Sequence, residues 1–111
     1  RMKLNLGHTI GHGVEAASAF SVSHGQAVAI GMAVVSRACG CPDADRIVAL
    51  LEQFGLPVTT GFTAEELFSH SLSDKKRSGG AIHMIIPRSV GVCVIRPIPV
   101  AEIEAFIEAG L

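Results

Sequence analysis

No stretch of this chain stays apolar for the roughly 18 residues that a membrane-crossing helix needs, and no charged-then-apolar segment opens it in the manner of a secretory signal. Membrane spanning and secretion are therefore not expected, and the cytoplasm is. A charge excess of one sign is also missing. The net charge is −1 with His neutral, so the basic footprint of a nucleic-acid-binding protein is absent. With 49% hydrophobic and 17% charged residues, general disorder is excluded too. Cysteine is scarce and odd in number. Cys39 and Cys41 form a C-x-C without the second pair that would complete a zinc knuckle, so with Cys93 they read as buried thiols in a reducing compartment. There is no internal repeat, no low-complexity tract, no G-x-G-x-x-G dinucleotide motif and no P-loop spacing.

What is present fits one folded domain over residues 1–111, long enough to bury a modest core without staples. The chain opens on Arg1, directly into its most unusual motif, and reads as a piece of something longer. Leu6, Ile10, Val14 and Ala17 recur at helical spacing and predict a helix over 1–20. Ser23 is the expected N-cap of a second helix, whose run Ala27–Val35 is apolar or Gly throughout and implies burial on all sides. Gly40 to Pro42 end it, with Pro42 suited to the first turn of a third long helix. In that helix Ile47, Leu50, Leu51 and Phe54 form an apolar stripe, and Gly55 is the stop. Thr63 and Glu66 have capping-box form and open a short helix towards Leu72. Residues 81–96 are β-rich, with Pro87 to Gly91 as punctuation, and predict a two-stranded hairpin. Residues 99–111 close the chain as an amphipathic helix with Pro99 near its start and Gly110 near its end. The expected fold is mainly α, a multihelical, bundle-like domain with a small β-hairpin near residues 81–96.

The first helix has two chemically different faces. At about 100° per residue, Arg1, Asn5, His8, His12 and Glu15 project within about 80° of one another, opposite Leu6, Ile10, Val14 and Ala17. A solvated face usually carries Lys, Glu and Gln. This one carries groups that bind metals, anions and ligands. Gly7, Gly11 and Gly13 each cost a helix interior about 1 kcal/mol against Ala, so a close approach, by another helix or by a ligand, is expected to offset them. His8 and His12 have the spacing of H-E-x-x-H without its Glu, which excludes a zincin. As an i, i+4 pair they can chelate a metal with Glu15 one turn on. Another combination takes His24 at the start of the second helix, where the helix dipole disfavours protonation of a ligand imidazole. His70 and His83 have no such company and read as surface or strand residues. Lys75, Lys76 and Arg77, followed by Gly79 and Gly80, put cations on a turn that can receive a phosphate, although such a turn is ordinarily a solvated loop.

The blocks "RMKLNLGHTIGHGVE", "HGQAVAIGM" and "DKKRSGG" followed by "IIPRSVG" resemble, in order and spacing, the C-terminal half of the 3-dehydroquinate synthase family over nearly the whole chain. The resemblance implies a metal- and NAD-dependent, carbon–oxygen-lyase-type cyclase of the shikimate pathway. Such an enzyme turns 3-deoxy-D-arabino-heptulosonate 7-phosphate into 3-dehydroquinate with release of phosphate, usually as a cytoplasmic homodimer. It further implies zinc (or cobalt) held by His8 and His24 with a Glu from the N-terminal half, and substrate contacts from Arg1, Asn5, His12 and one of Lys75 and Lys76. His12 is the implied catalytic proton shuttle, and the lysine takes the phosphate. NAD is implied to bind a Rossmann-like N-terminal partner domain that is absent here, so the piece alone is expected not to catalyse. Gln26 and Gly13 depart from the family's usual Glu and Ala. Related sugar-phosphate cyclases, such as 2-deoxy-scyllo-inosose or aminodehydroquinate synthases, share the first motif. Cyclases of sedoheptulose 7-phosphate tend to lose its second His, against which His12 counts. Two readings from other classes are a helical interaction domain with a vestigial site and a self-sufficient metal site of His8, His12 and Glu15.

Overall fold

The computed structural model describes residues 8–19, 21–71, 81–89 and 92–111. Arg1, Asn5, Lys75 and Lys76 lie outside these stretches, and His8 enters only as a backbone position. The described elements are α1 (His8–Ala17), α2 (His24–Ala38), α3 (Ala44–Gln53), α4 (Ala64–Ser71), β1 (Ala81–Ser89), β2 (Val92–Pro99) and α5 (Val100–Gly110). The protein is mainly helical with one two-stranded antiparallel sheet among these residues, as expected. No described helix is long and apolar enough to cross a membrane.

The apolar run of α2 makes it the central element. Ala27, Ala29, Ile30, Gly31, Ala33, Val34 and Val35 are all buried, because the helix is covered on two sides. On one side Ala27, Ile30, Val34 and Val35 join Ile10 and Val14 of α1, Leu67 and Phe68 of α4, and Ile103 and Ile107 of α5, with Met84, Ile86 and Ile98 of the hairpin closing the cluster. Each fully buried aliphatic side chain there contributes about 1.5–3 kcal/mol, so this cluster is the main source of the fold's stability. On the other side Ala29 and Ala33 meet Leu51 of α3 and Val58.

Local signals set the element ends. Ser23 and Gln26 form a reciprocal capping box at the start of α2, and Thr63 and Glu66 form the expected one before α4, with contacts of 3.1 and 2.9 Å. Gly55 takes φ +74° just past α3, the left-handed conformation expected of a helix stop. The expectation for α3 itself needs correction. The helix is ten residues long and begins at Ala44, so Pro42 sits in the preceding turn and Asp43 is the N-cap. Of its predicted stripe only Leu51 is buried; Ile47 is partly covered, whereas Leu50 is 50% and Phe54 74% exposed. Among the described elements α3 leans chiefly on α2, along a seam that covers less than a full helix face. The hairpin is also longer than predicted. β1 runs through Pro87 to Ser89 and β2 continues to Pro99, with Ala81 opposite Pro99 and an irregularity between Pro87 and Ser89. In a two-stranded sheet both strands are edges, so prolines without an N–H are tolerated on the open side.

Two long-range ties hold the bundle's far end. Arg37 of α2 donates to the Gly110 carbonyl at 3.1 Å and to the Val58 carbonyl at 2.9 Å. Gly110, read from sequence as helix punctuation, is the last residue of α5 and lies against α2. A Cβ there would overlap the Val34 carbonyl oxygen and stand 2.8 Å from its carbon. Its small size serves a tertiary contact. Of the three thiols, expected to be buried, only Cys41 is; Cys39 and Cys93 are half-buried, and all three are free.

Candidate metal and substrate site

The polar stripe of α1 is brought to the first residue of α2 by a short, self-bonded connection. Ser18 closes the end of α1 through its N–H to the Val14 carbonyl and its hydroxyl to the Glu15 carbonyl, both 3.0 Å. Ala19 follows at φ +54°, a left-handed conformation that costs an L-residue about 1–2 kcal/mol and turns the chain sharply. The Ser23 capping box then fixes where α2 starts, and hence where His24 stands. Gln26 replaces the Glu usual in the resembling family, yet its carboxamide oxygen accepts from the Ser23 N–H at 3.2 Å, a role that Glu and Gln fill equally. That departure is structurally neutral.

The helices can approach because Gly11 faces α2. A Cβ there would lie 3.0 Å from the Ala27 carbonyl oxygen and 3.2 Å from Val28 Cα, so the expected close approach at Gly11 is by a neighbouring helix. Gly13 is likewise buried, and Gly7 lies outside the described residues. Ile10 and Val14 point into the core, as the two-faced reading of α1 requires.

Across this crossing three polar side chains meet. One carboxylate oxygen of Glu15 lies 3.2 Å from Nδ1 of His24 and 3.3 Å from Nδ1 of His12. The two imidazole centroids are 6.1 Å apart. The histidine side chains are 61% and 58% exposed, whereas Glu15 is only 12% exposed. A nearly buried carboxylate thus sits between two open rings. The sequence put His12 and Glu15 on one stripe; the contact of Glu15 with His24, nine residues on, depends on the tight connection and was not expected. Ser18 and Ser23, each placed to end or start a helix, were the available signals for it.

The donor set suits a divalent cation in part. Among the described residues no three His, Cys, Asp or Glu side chains form a group that could hold a metal ion. The His24–Glu15 pair, however, has the form of a metal-binding imidazole held from behind by a carboxylate. His8 is the first described residue of α1, one helical turn before His12 along the backbone. The arrangement suits part of a site to which ligands from elsewhere must add. An open depression of about 590 Å³, lined by Gln26, Ile30, Thr59, Thr60 and Phe62 among others, lies beside the start of α2; neither His12 nor His24 is among its described lining residues. His70 falls in α4 and His83 in β1, as backbone positions remote in sequence from this cluster.

Residues 1–77 match the family described as 3-dehydroquinate synthase C-terminal. A 3-dehydroquinate synthase of Streptococcus suis (strain 05ZYH33) is 40% identical over 97% of this chain and 33% of its own length. Its counterpart in Enterococcus faecalis (strain ATCC 700802 / V583) is 36% identical over 100% of this chain and 34% of its own. The chain therefore spans about a third of the length of these curated relatives. Among solved structures, 2-deoxy-scyllo-inosose synthase complexed with carbaglucose-6-phosphate, NAD+ and Co2+ superposes with a TM-score of 0.76 at 25% identity, covering 96% of this chain and 33% of that one. The 2-epi-5-epi-valiolone synthase of Streptomyces hygroscopicus subsp. jinggangensis 5008, with NAD+ and Zn2+ bound, gives 0.74 at 27% identity over 94% and 31%. With its helical fold, its His12–Glu15–His24 cluster and these likenesses, the chain belongs to the 3-dehydroquinate synthase C-terminal family.

Proposed function

We propose that this chain is the metal- and substrate-binding domain of a 3-dehydroquinate synthase, working with an NAD-binding domain of the same protein and, in the whole enzyme, as a cytoplasmic homodimer. The observation that carries the reading is the convergence of His24 with the polar stripe of α1 around Glu15. The 36–40% identity to curated 3-dehydroquinate synthases, against 25–27% to the two other cyclases, supports this substrate over theirs.

In this reading His8 and His24 hold a divalent cation, zinc or cobalt, and a carboxylate from outside the chain completes its ligands. When bound, the cation would polarise substrate oxygens and NAD+ would accept and return a hydride. The chain's own residues bind, orient and move protons. Arg1 and Asn5 bind the substrate's polar groups, and Lys75 or Lys76 neutralises its phosphate, which makes phosphate a better leaving group. His12, whose Nδ1 lies 3.3 Å from Glu15, is the group that takes up or returns a proton beside that phosphate. The 111-residue chain alone is inactive on this account.

The test is phosphate release by the protein carrying both domains. Turnover of 3-deoxy-D-arabino-heptulosonate 7-phosphate, absent from the 111-residue chain alone, is the expected result. Turnover of a different sugar phosphate, such as sedoheptulose 7-phosphate, in its place would assign the chain to another cyclase. Inertness towards all of them, together with neutral substitutions at His8 and His24, would favour a helical interaction domain.

A further inference from the structure

The proposed function puts a metal ligand, His24, on the first residue of α2, where a helix frays most readily. Resting on that reading, we propose that Ser23 and Gln26 are positioning residues for His24: their capping box holds the first turn of α2 closed, keeps the imidazole beside α1, and so sets how tightly the site takes a divalent cation. Burial does little for this turn. Ser23, His24, Gly25 and Gln26 are all exposed, and the first buried residue of the helix is Ala27. Gly25 weakens it further, since glycine disfavours a helix and no atom lies within 4 Å of where a Cβ would stand.

Local hydrogen bonds hold the backbone instead. The Ser23 hydroxyl accepts from the Gln26 N–H at 3.2 Å, the Gln26 side-chain oxygen accepts from the Ser23 N–H at 3.2 Å, and the Ser23 carbonyl accepts from the Ala27 N–H at 2.9 Å. Just upstream, the N–H groups of Ser21 and Val22 bond the carbonyl and hydroxyl of Ser18 at 3.2 and 3.4 Å, which ties the connection to the end of α1. His24 follows directly on both sets of bonds, and its Nδ1 reaches Glu15 of α1 at 3.2 Å. A cap satisfies backbone donors that an uncapped helix leaves to water, so without it the first turn opens more often. Each opening carries His24 away from α1. The apparent affinity then falls with the fraction of molecules in the closed form, and a cap of ordinary strength corresponds to a loss of about 2- to 30-fold.

The experiment is zinc affinity, measured by competition with a chromophoric chelator at constant pH, for the protein carrying both domains and its Ser23→Ala, Ser23→Asn and Thr63→Ala variants. Asparagine caps a helix as well as serine does, so Ser23→Asn keeps the cap without the hydroxyl. Thr63→Ala removes the matching box before α4, with its bonds of 3.1 and 2.9 Å, and reports what a loss of stability alone does to the site. Ser23→Ala is expected to bind zinc about 2- to 30-fold more weakly, with Ser23→Asn and Thr63→Ala within about 2-fold of the parent. In the metal-free proteins, amide hydrogen exchange at Gln26 and Ala27 should quicken in Ser23→Ala and not in Thr63→Ala. Zinc binding as tight in Ser23→Ala as in the parent, an equal loss in Thr63→Ala, or no recovery in Ser23→Asn would overturn the positioning role while leaving His24 a ligand. Zinc binding indifferent to His24→Ala would instead contradict the reading on which the proposal rests, and the proposal with it.

Discussion

Replacing Gly110 by Ala sets local helix preference against tertiary packing. Gly110 is helical, and by propensity alone alanine should stabilise a helix by up to about 1 kcal/mol. In the structure a Cβ at this position overlaps the Val34 carbonyl oxygen and stands 2.9 Å from Val34 Cγ1. Val34 is fully buried in the centre of α2, so its backbone cannot yield; the last turn of α5 must lift away. Lifting it strains the packing of Ile107, which is 1% exposed, and stretches the Arg37 bond to the Gly110 carbonyl. Overpacking of this kind costs about 1–3 kcal/mol and a bond from a charged donor about 1.5–3 kcal/mol, partly recovered through the second Arg37 bond to Val58 and through water. The expected net loss is about 1–3 kcal/mol, read as a lower urea midpoint with an unchanged slope. Gly25→Ala is the control: nothing lies within 4 Å of its Cβ, so it should hold or raise the midpoint. If Gly110→Ala is as stable as Gly25→Ala, the reasoning about the α2–α5 contact is refuted.

Other substitutions probe the remaining contacts. Ser23→Ala removes the N-cap of α2 and should cost about 0.5–2 kcal/mol in urea unfolding. Leu51→Ala should cost about 2–4 kcal/mol, whereas Phe54→Ser on the same helix should stay within about 0.5 kcal/mol, since Leu51 is 8% and Phe54 74% exposed. Burial pushes the Cys39 thiol above its ordinary value. The unfolded chain then releases this proton at a lower pH than the folded one, so stability falls as pH rises above about 8.5, the ordinary thiol range. The decline should be shallower in Cys39→Ala, and the chain's lack of tyrosine leaves thiolate absorbance free to follow the ionisation.

The parts of this protein that were legible in its sequence are those whose physics is local. The unbroken apolar run of α2 could be stable only when covered on both sides. Ser23, Thr63 and Gly55 act on residues within one turn of themselves, and each marks the end it was expected to mark. What the pattern misread depended on distant partners. Leu50 and Phe54 have helical spacing, yet α3 has too few neighbours to bury them. Gly110 had the composition of a stop and proved to be a contact with Val34, 76 positions earlier. Pro87 suggested a break, but an edge strand tolerates it. At the site the same division holds. The stripe of His12 and Glu15 follows from helical periodicity, whereas the meeting of Glu15 with His24 depends on the turn through Ser18 and Ala19.

Calorimetric titration of zinc into this chain, its His24→Ala variant and its His12→Ala variant tests the central claim most directly. The account predicts weak binding by the parent, because the chain supplies only some of the ligands, with binding lost in His24→Ala and retained in His12→Ala. Tight one-to-one binding that depends on His12 and is indifferent to His24 would contradict it and place the metal on α1 alone.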